Sequence, residues 1–278
     1  MEYVSEAMRA IQTDKEVVLF AVKEDWSALQ YASDELQADR EVVLAAVEEH
    51  GCVLKFASEA MRADKEVVLA AVETDGYALE FASEALRANK EILLVSVKKN
   101  GYALQFASDE LKADRDVVLA AVKKEGRVLM YASEALRTDK EVVIAAVTQD
   151  GLALWKASDR MRGDREVVLA AVKKDGYALA EASEAMRADK EVVLAAVKQY
   201  GFSLGHASEA LRADPFLRRL SHEVVALGRM PRFCGILLKR HRQEKAARVA
   251  VQASGWLIRH ECDLSTRSRK RQRLDPSP

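Results

Sequence analysis

The chain is poor in the residues that break helices or staple small folds. It holds only four prolines and twelve glycines in 278 residues, which favours uninterrupted helices and an all-α reading. Its three cysteines, Cys52, Cys234 and Cys262, are odd in number and far apart. That excludes a disulfide framework and points to a reducing compartment. No run of 18 apolar residues exists to make a transmembrane helix. The opening MEYVSEAMRAIQTDKE has neither the basic flank nor the apolar stretch of a secretory signal. There is no HExxH, no glycine-rich phosphate loop, and no histidine at zinc-finger spacing from a cysteine. His260 and Cys262 lie close together, which reads as a chance local pair. We therefore expect no catalytic group, no metal and no cofactor, and the chain is not read as an enzyme. What remains is 49% apolar and 31% charged, the balance of a packed soluble protein rather than a disordered one. Either the cytoplasm or the nucleus suits it.

The net charge of −1 conceals two opposite parts. Residues 1–214 carry a net −11 and residues 215–278 a net +10. The acidic part is periodic. Asp recurs at 14, 39, 64, 114, 139, 164, 189 and 214, and Asn89 fills the missing slot, so every spacing is 25. With that Asp as offset 0, the unit reads D-K/R-E-V-V-L-A-A-V-K-x-D-G-Y-A-L-x-F-A-S-E-A-L-R-A. Offset 8 is always Val, offset 15 always Leu, and offsets 18–19 always Ala-Ser.

Each unit reads as two helices. Asp at offset 0 caps the first, over about offsets 1–10, with Glu at offset 2 at the positive end of its dipole. The pair Asp214-Pro215 supports this register, since proline suits a helix first turn. Gly at offset 12 fits a left-handed stop residue, and Trp26, which replaces it in the first unit, would resist that conformation. The second helix is read as continuous over offsets 13–23, with apolar residues at 15, 18 and 22 and most often an aromatic at 17. Ser at offset 19 lies inside it; the alternative is that this Ser caps a short final turn. Acids at offset 20 are placed to pair with Arg at offset 23 on the wet side. The VVLAAV of the first helix is apolar all round. A single unit cannot bury it, but flanking copies can, so the predicted architecture is an all-α solenoid held by neighbour contacts.

The string Y-A-S-E-A-L-R-A-D-K-E-V-V-L-A-A-V-K-K-D-G-Y-A-L resembles a family of tandem helical repeats catalogued as a domain of unknown function, common in giant viruses and unicellular algae. The likeness covers about residues 14–214 and rests on the Asp, VVLAAV, Gly and LxxAS elements. It implies tandem arrays that mediate protein contacts and supplies no activity and no functional residue.

The chain is thus divided into a partial, irregular unit (1–13), eight units (14–214), a C-terminal helical cap (215–260) and a basic disordered tail (261–278). The segment Tyr3–Arg9 resembles the end of a unit but lies three residues too early relative to Asp14; it is a crude cap or the remnant of a longer array. Two helical stretches, 216–227 and 232–258, make up the cap. The function expected is that of a scaffold binding a protein partner through offsets that vary between units, 9–11, 13 and 16. Trp155 is the candidate anchor, beside Lys156 where the aromatic of offset 17 is lost; the alternative is that Trp155 only restores packing there. Tyr77, Tyr102 and Tyr177, all at offset 13, are read first as core and second as partner contacts. A rival function is nuclear or nucleic-acid association through Arg269, Lys270, Arg271 and Arg273, a short basic cluster that is otherwise a solvated tail.

Overall fold

A computed structural model of the chain describes residues 12–228. The helical stretch expected over 232–258, most of the partial N-terminal unit and the cluster Arg269, Lys270, Arg271 and Arg273 lie outside the described residues.

Within them the chain is an all-α repeat solenoid, and every unit repeats one local design. A ten-residue α-helix fills offsets 1–10, as in Lys65–Thr74, Lys90–Lys99 and Arg165–Lys174. The offset-0 carboxylate or amide accepts from the amides at offsets 2 and 3; Asp64 does so from Glu66 and Val67 at 2.9 and 3.0 Å. These are two of the amides that a helix start leaves without intrahelical partners. The helix ends on an extended residue at offset 11, such as Asp75 (φ −141°, ψ 115°).

Past that point the predicted second helix is not continuous. Offsets 12–17 form a 3-10 helix (Gly76–Phe81, Gly151–Lys156), Ala and Ser at offsets 18–19 are extended, and a separate four-residue helix follows, as in Glu59–Arg62 and Asp109–Lys112, replaced in the fifth unit by a 3-10 turn, Leu136–Thr138. The break falls at the Ala-Ser pair in every unit. In the second, fourth, fifth and seventh units the hydroxyl of the Ser accepts at 3.4 Å from the amide at offset 22. Its own N–H points out of the unit and donates to the offset-23 carbonyl of the unit before: Ser58 to Gln37, Ser83 to Arg62, Ser133 to Lys112, Ser158 to Arg137, Ser183 to Arg162 and Ser208 to Arg187, at 2.8–3.1 Å. A continuous helix would spend that N–H internally. Ser33 donates likewise to Gln12 at 3.0 Å, so the chain before the first unit already occupies the register of a preceding one.

The 3-10 geometry decides what faces inward. With three residues per turn, offsets 12, 15 and 18 fall on one side, and these are Gly, Leu and Ala, buried from the second unit onward; offset 14, on a second side, is fully buried there as well, as at Val53, Ala78 and Val128. Leu at offset 15 is fully buried in the first seven units and nearly so at Leu204. In the long helices the residues at offsets 3, 4, 7 and 8 are buried in units two to eight, whereas Leu and Ala at offsets 5 and 6 are half-buried. The helix, apolar all round and expected to be buried on most sides, is closed on its two neighbours and on the 3-10 layer, and leaves a narrow apolar strip outside.

The glycines at offset 12 answer a different need from the predicted one. No described residue has positive φ. Each glycine instead lies against the carbonyl oxygen at offset 7 of the next unit. A Cβ would come to 2.5 Å from Ala171 O at Gly151, to 2.5 Å from Ala196 O at Gly176 and to 2.9 Å from Ala121 O at Gly101. The residue is small because two backbones meet there. Trp26 escapes the rule by stacking on His50 of the next unit, ring centroids 4.4 Å apart.

Long helices pack against the long helices before and after them, and 3-10 helices do the same. A final helix, Pro215–Gly228, starts as a ninth long helix: Asp214 caps it through Phe216 and Leu217, Leu217 is fully buried, and Ser221 Oγ donates to Gly201 O at 2.9 Å.

Charge joins the units on the outside. The Lys or Arg at offset 1 reaches forward to the capping Asp of the next unit: Lys15 to Asp39 at 2.8 Å, Lys90 to Asp114 at 2.6 Å, Lys140 to Asp164 at 2.9 Å and Lys190 to Asp214 at 2.9 Å. The offset-2 acid of the next unit often joins, as Glu166 joins Lys140 at 2.8 Å. The pairs predicted within the short helix form only at Asp109–Lys112 and Asp159–Arg162 among the described residues. Elsewhere the arginine is drawn inward: Nε of Arg62, Arg87, Arg137 and Arg187 is buried without a hydrogen-bond partner.

The ladder sets an acid limit. Lys15 holds the carboxyl of Asp39, and Lys90 that of Asp114, below the usual range; at Asp64, Asp139 and Asp189 the capped Val amide is the main cause and the forward Arg adds to it. A carboxylate whose folded pKa is depressed adds stability that is complete above its unfolded value of about 4 and is lost as the pH falls through the folded value. Thermal unfolding is expected to be flat between about pH 7 and 5 and to shift to lower temperature below about pH 4. A transition that rises on acidification over that range contradicts this assignment.

Candidate partner-binding site

With offsets 12, 14, 15 and 18 facing the core, offsets 13 and 16 share the remaining, outward side of the 3-10 helix. Because these helices stack unit on unit, residues at those offsets become neighbours although 22–28 positions apart in sequence. In the fourth to seventh units they enclose a cavity of about 420 Å³ lined by Tyr102, Arg127, Met130, Leu152, Trp155, Tyr177 and Glu181. Large apolar groups stand open in it: Trp155 is 54% exposed, Tyr177 47% and Met130 41%.

Its polar edge is fixed. Arg127 Nε donates to Asp150 at 2.6 Å, which keeps the guanidinium charged and raises its pKa further. Asp150 in turn caps its own 3-10 helix through the amide of Leu152 at 2.9 Å. Lys156 Nζ sits 3.7 Å from the centre of the Trp155 ring, a cation–π contact that holds the indole in place. Tyr177 meets His206 edge to face at 4.9 Å between centroids.

Of the residues singled out by sequence, Tyr102, Trp155 and Tyr177 thus share one cavity and Lys156 braces it from the side. Tyr77 lies apart, half-buried and edge-on to Phe106 at 6.2 Å. Trp155 does not restore packing lost at Lys156, since more than half of it is exposed. Arg127, Met130 and Leu152 occupy offsets 13 and 16, which the variation between units already marks for partner contact, although sequence alone does not single them out by number; Glu181, at offset 17, lies outside that set. A larger hollow of about 860 Å³ runs along the long helices of the sixth and seventh units, floored by Leu169 and Ala170. Of its rim charges, Lys140 pairs with Asp164 and Glu166, and Arg165 with Asp189 and Glu191 of the next unit; Lys173 and Lys174 also line it.

The structure also gathers a group that sequence spacing passes over. One ligand atom each from His50, Cys52 and Asp75 lies within 4.8 Å of the others. Burial, and then the hydrogen bond from Sγ to the Asp75 carboxylate at 3.1 Å, push the Cys52 thiol up to about 12.

The family model for a domain of unknown function, DUF4116, matches residues 14–62, 64–112, 114–162 and 164–212, each match covering two of the units described above. The chain belongs to the DUF4116 family. No curated protein and no solved structure matches it. In this chain each half of a DUF4116 match is a long helix, a 3-10 helix and a short helical turn, with the side chains at offsets 13 and 16 differing between units. No helix among the described residues is long and apolar enough to cross a membrane.

Proposed function

We propose that this DUF4116 array is a non-enzymatic scaffold that binds a protein partner in the aromatic cavity of its fourth to seventh units. The observation that carries the reading is the gathering of Tyr102, Trp155 and Tyr177 from three units around one open cavity, with Trp155 54% exposed. Exposed aromatic side chains held rigid in a concavity are the usual anchors of protein recognition. The lining selects a segment that presents a bulky apolar side chain. The surrounding charges, Arg127 with Asp150 and Lys156 on Trp155, are already engaged and set orientation more than affinity.

Selection of a displayed random-peptide library on the full chain tests this. Enriched peptides are expected to share a bulky apolar residue and to lose affinity by about thirtyfold on Trp155→Ala, corresponding to about 2 kcal/mol for a central aromatic anchor. Tyr77→Ala, outside the cavity, should leave binding unchanged. Peptides that bind Trp155→Ala as well as the parent chain would sink the reading. The alternative, contact with nucleic acid, rests on the charge of residues 215–278 and draws no support from the acidic array.

A further inference from the structure

We infer that His50, Cys52 and Asp75 form a binding site for a divalent transition-metal ion of zinc type at the junction of the second and third units. Two departures from the repeat create it. Offset 11 is usually an Asp, Asn or Glu, and in five units its side chain caps the 3-10 helix; in the second unit it is His50, which makes no such bond. Offset 13 is Cys in this unit alone, and Cys52 is the one cysteine among the described residues.

The third member is an ordinary part of the next unit, held in the right place by its ordinary task. Asp75 Oδ1 accepts from the amide of Tyr77 at 2.9 Å, which fixes the carboxylate and leaves Oδ2 facing the Cys52 sulfur at 3.1 Å. His50 is oriented from the other side by Trp26, stacked at 4.4 Å with the rings 21° apart. Its Nδ1 is buried and has no hydrogen-bond partner, an unmet polar atom on the ring that shares this corner with a thiol and a carboxylate. One nitrogen, one sulfur and one carboxylate oxygen within 4.8 Å of one another can meet a single ion at the usual distances of about 2.0–2.3 Å, with a fourth position left for water. The mixed set of imidazole, thiolate and carboxylate suits zinc rather than magnesium or calcium. On binding, the Cys52 thiol proton leaves to solvent and the cation takes its place beside Asp75 Oδ2. Since the ligands come from two units, the ion would staple them together.

Cobalt(II), a spectroscopic stand-in for zinc, tests the site in the full chain carrying Cys234→Ser and Cys262→Ser, so that only one sulfur is available. Near-ultraviolet thiolate-to-cobalt charge transfer is expected to saturate at about one equivalent and to be bleached by zinc. Adding Cys52→Ser should abolish the band. His50→Asn should weaken cobalt binding by more than about tenfold, since even outer-shell partners of a metal are worth about 10–100-fold. Circular dichroism of each variant checks that the array is still folded. Absence of the band in the chain that retains only Cys52, or its survival after Cys52→Ser, overturns the assignment. So does a band of unchanged intensity in the otherwise natural chain carrying Cys52→Ser alone, a comparison that leaves the other two cysteines in place in both samples.

Discussion

Alanine in place of Gly151 is expected to cost about 3 kcal/mol of stability, the upper end of what overpacking a dense interior does. The added Cβ would stand 2.5 Å from the carbonyl oxygen of Ala171 and 2.9 Å from the amide of Asp175, both backbone atoms of the next unit. No rotamer relieves such a contact, so the two units must separate, and with them the packing on either side. Gly163, in the same unit, is the control. It ends a short helix at φ −99°, where most units carry alanine, and nothing lies closer than 3.6 Å to its would-be Cβ. Gly163→Ala should be neutral or stabilising by up to about 1 kcal/mol, through the unfolded chain. Urea unfolding of the two variants side by side decides the matter. Equal losses would mean that backbone approach is not what the repeat glycine serves.

Leu129→Ala is expected to cost about 3–5 kcal/mol, because that leucine is fully buried at the centre of the array and leaves a cavity that neighbouring units restrain from collapsing. Leu119→Ala, at offset 5 of the same unit, removes the same atoms from a half-buried position and should cost much less, about 1 kcal/mol. The difference measures the observation that the long helix has an open strip. Equal costs would show that offset 5 is closed after all. Because a repeat array need not unfold in one step, the reading should come from the transition that contains the mutated unit, with hydrogen exchange identifying it.

Much of this was legible beforehand. A 25-residue period with an invariant Leu and an apolar first helix fixes stacked helical units, since no single unit has the surface to bury VVLAAV. Asp at offset 0 declared the helix start for the reason the structure shows, two accepted amides per cap. What was not legible depended on atoms of a neighbouring unit. Gly at offset 12 looks like a helix stop in one unit and is a contact point only when the next unit's carbonyl is in place. Ser at offset 19 is neutral within a helix by its own propensity; the carbonyl of the preceding unit that takes its N–H tips it into a cap. The same holds for the sites. Trp155 stood out as an oddity in a regular pattern, but Met130 and Arg127 join it only once offsets 13 and 16 are known to share a face. Asp75 joins His50 and Cys52 across a unit boundary that local spacing rules do not cross.

Everything described depends on each unit packing upon its two neighbours and upon nothing further along the chain. Methyl-to-methyl nuclear Overhauser contacts in a valine- and leucine-labelled sample test this most directly. Cross-peaks between the long helices of adjoining units are predicted, such as Val118 with Val143, Val143 with Val168 and Val168 with Val193, together with Leu129 to Leu154 along the 3-10 layer. Strong cross-peaks between valines two or more units apart, such as Val68 with Val168, would contradict a stack and require these helices to meet in a different arrangement.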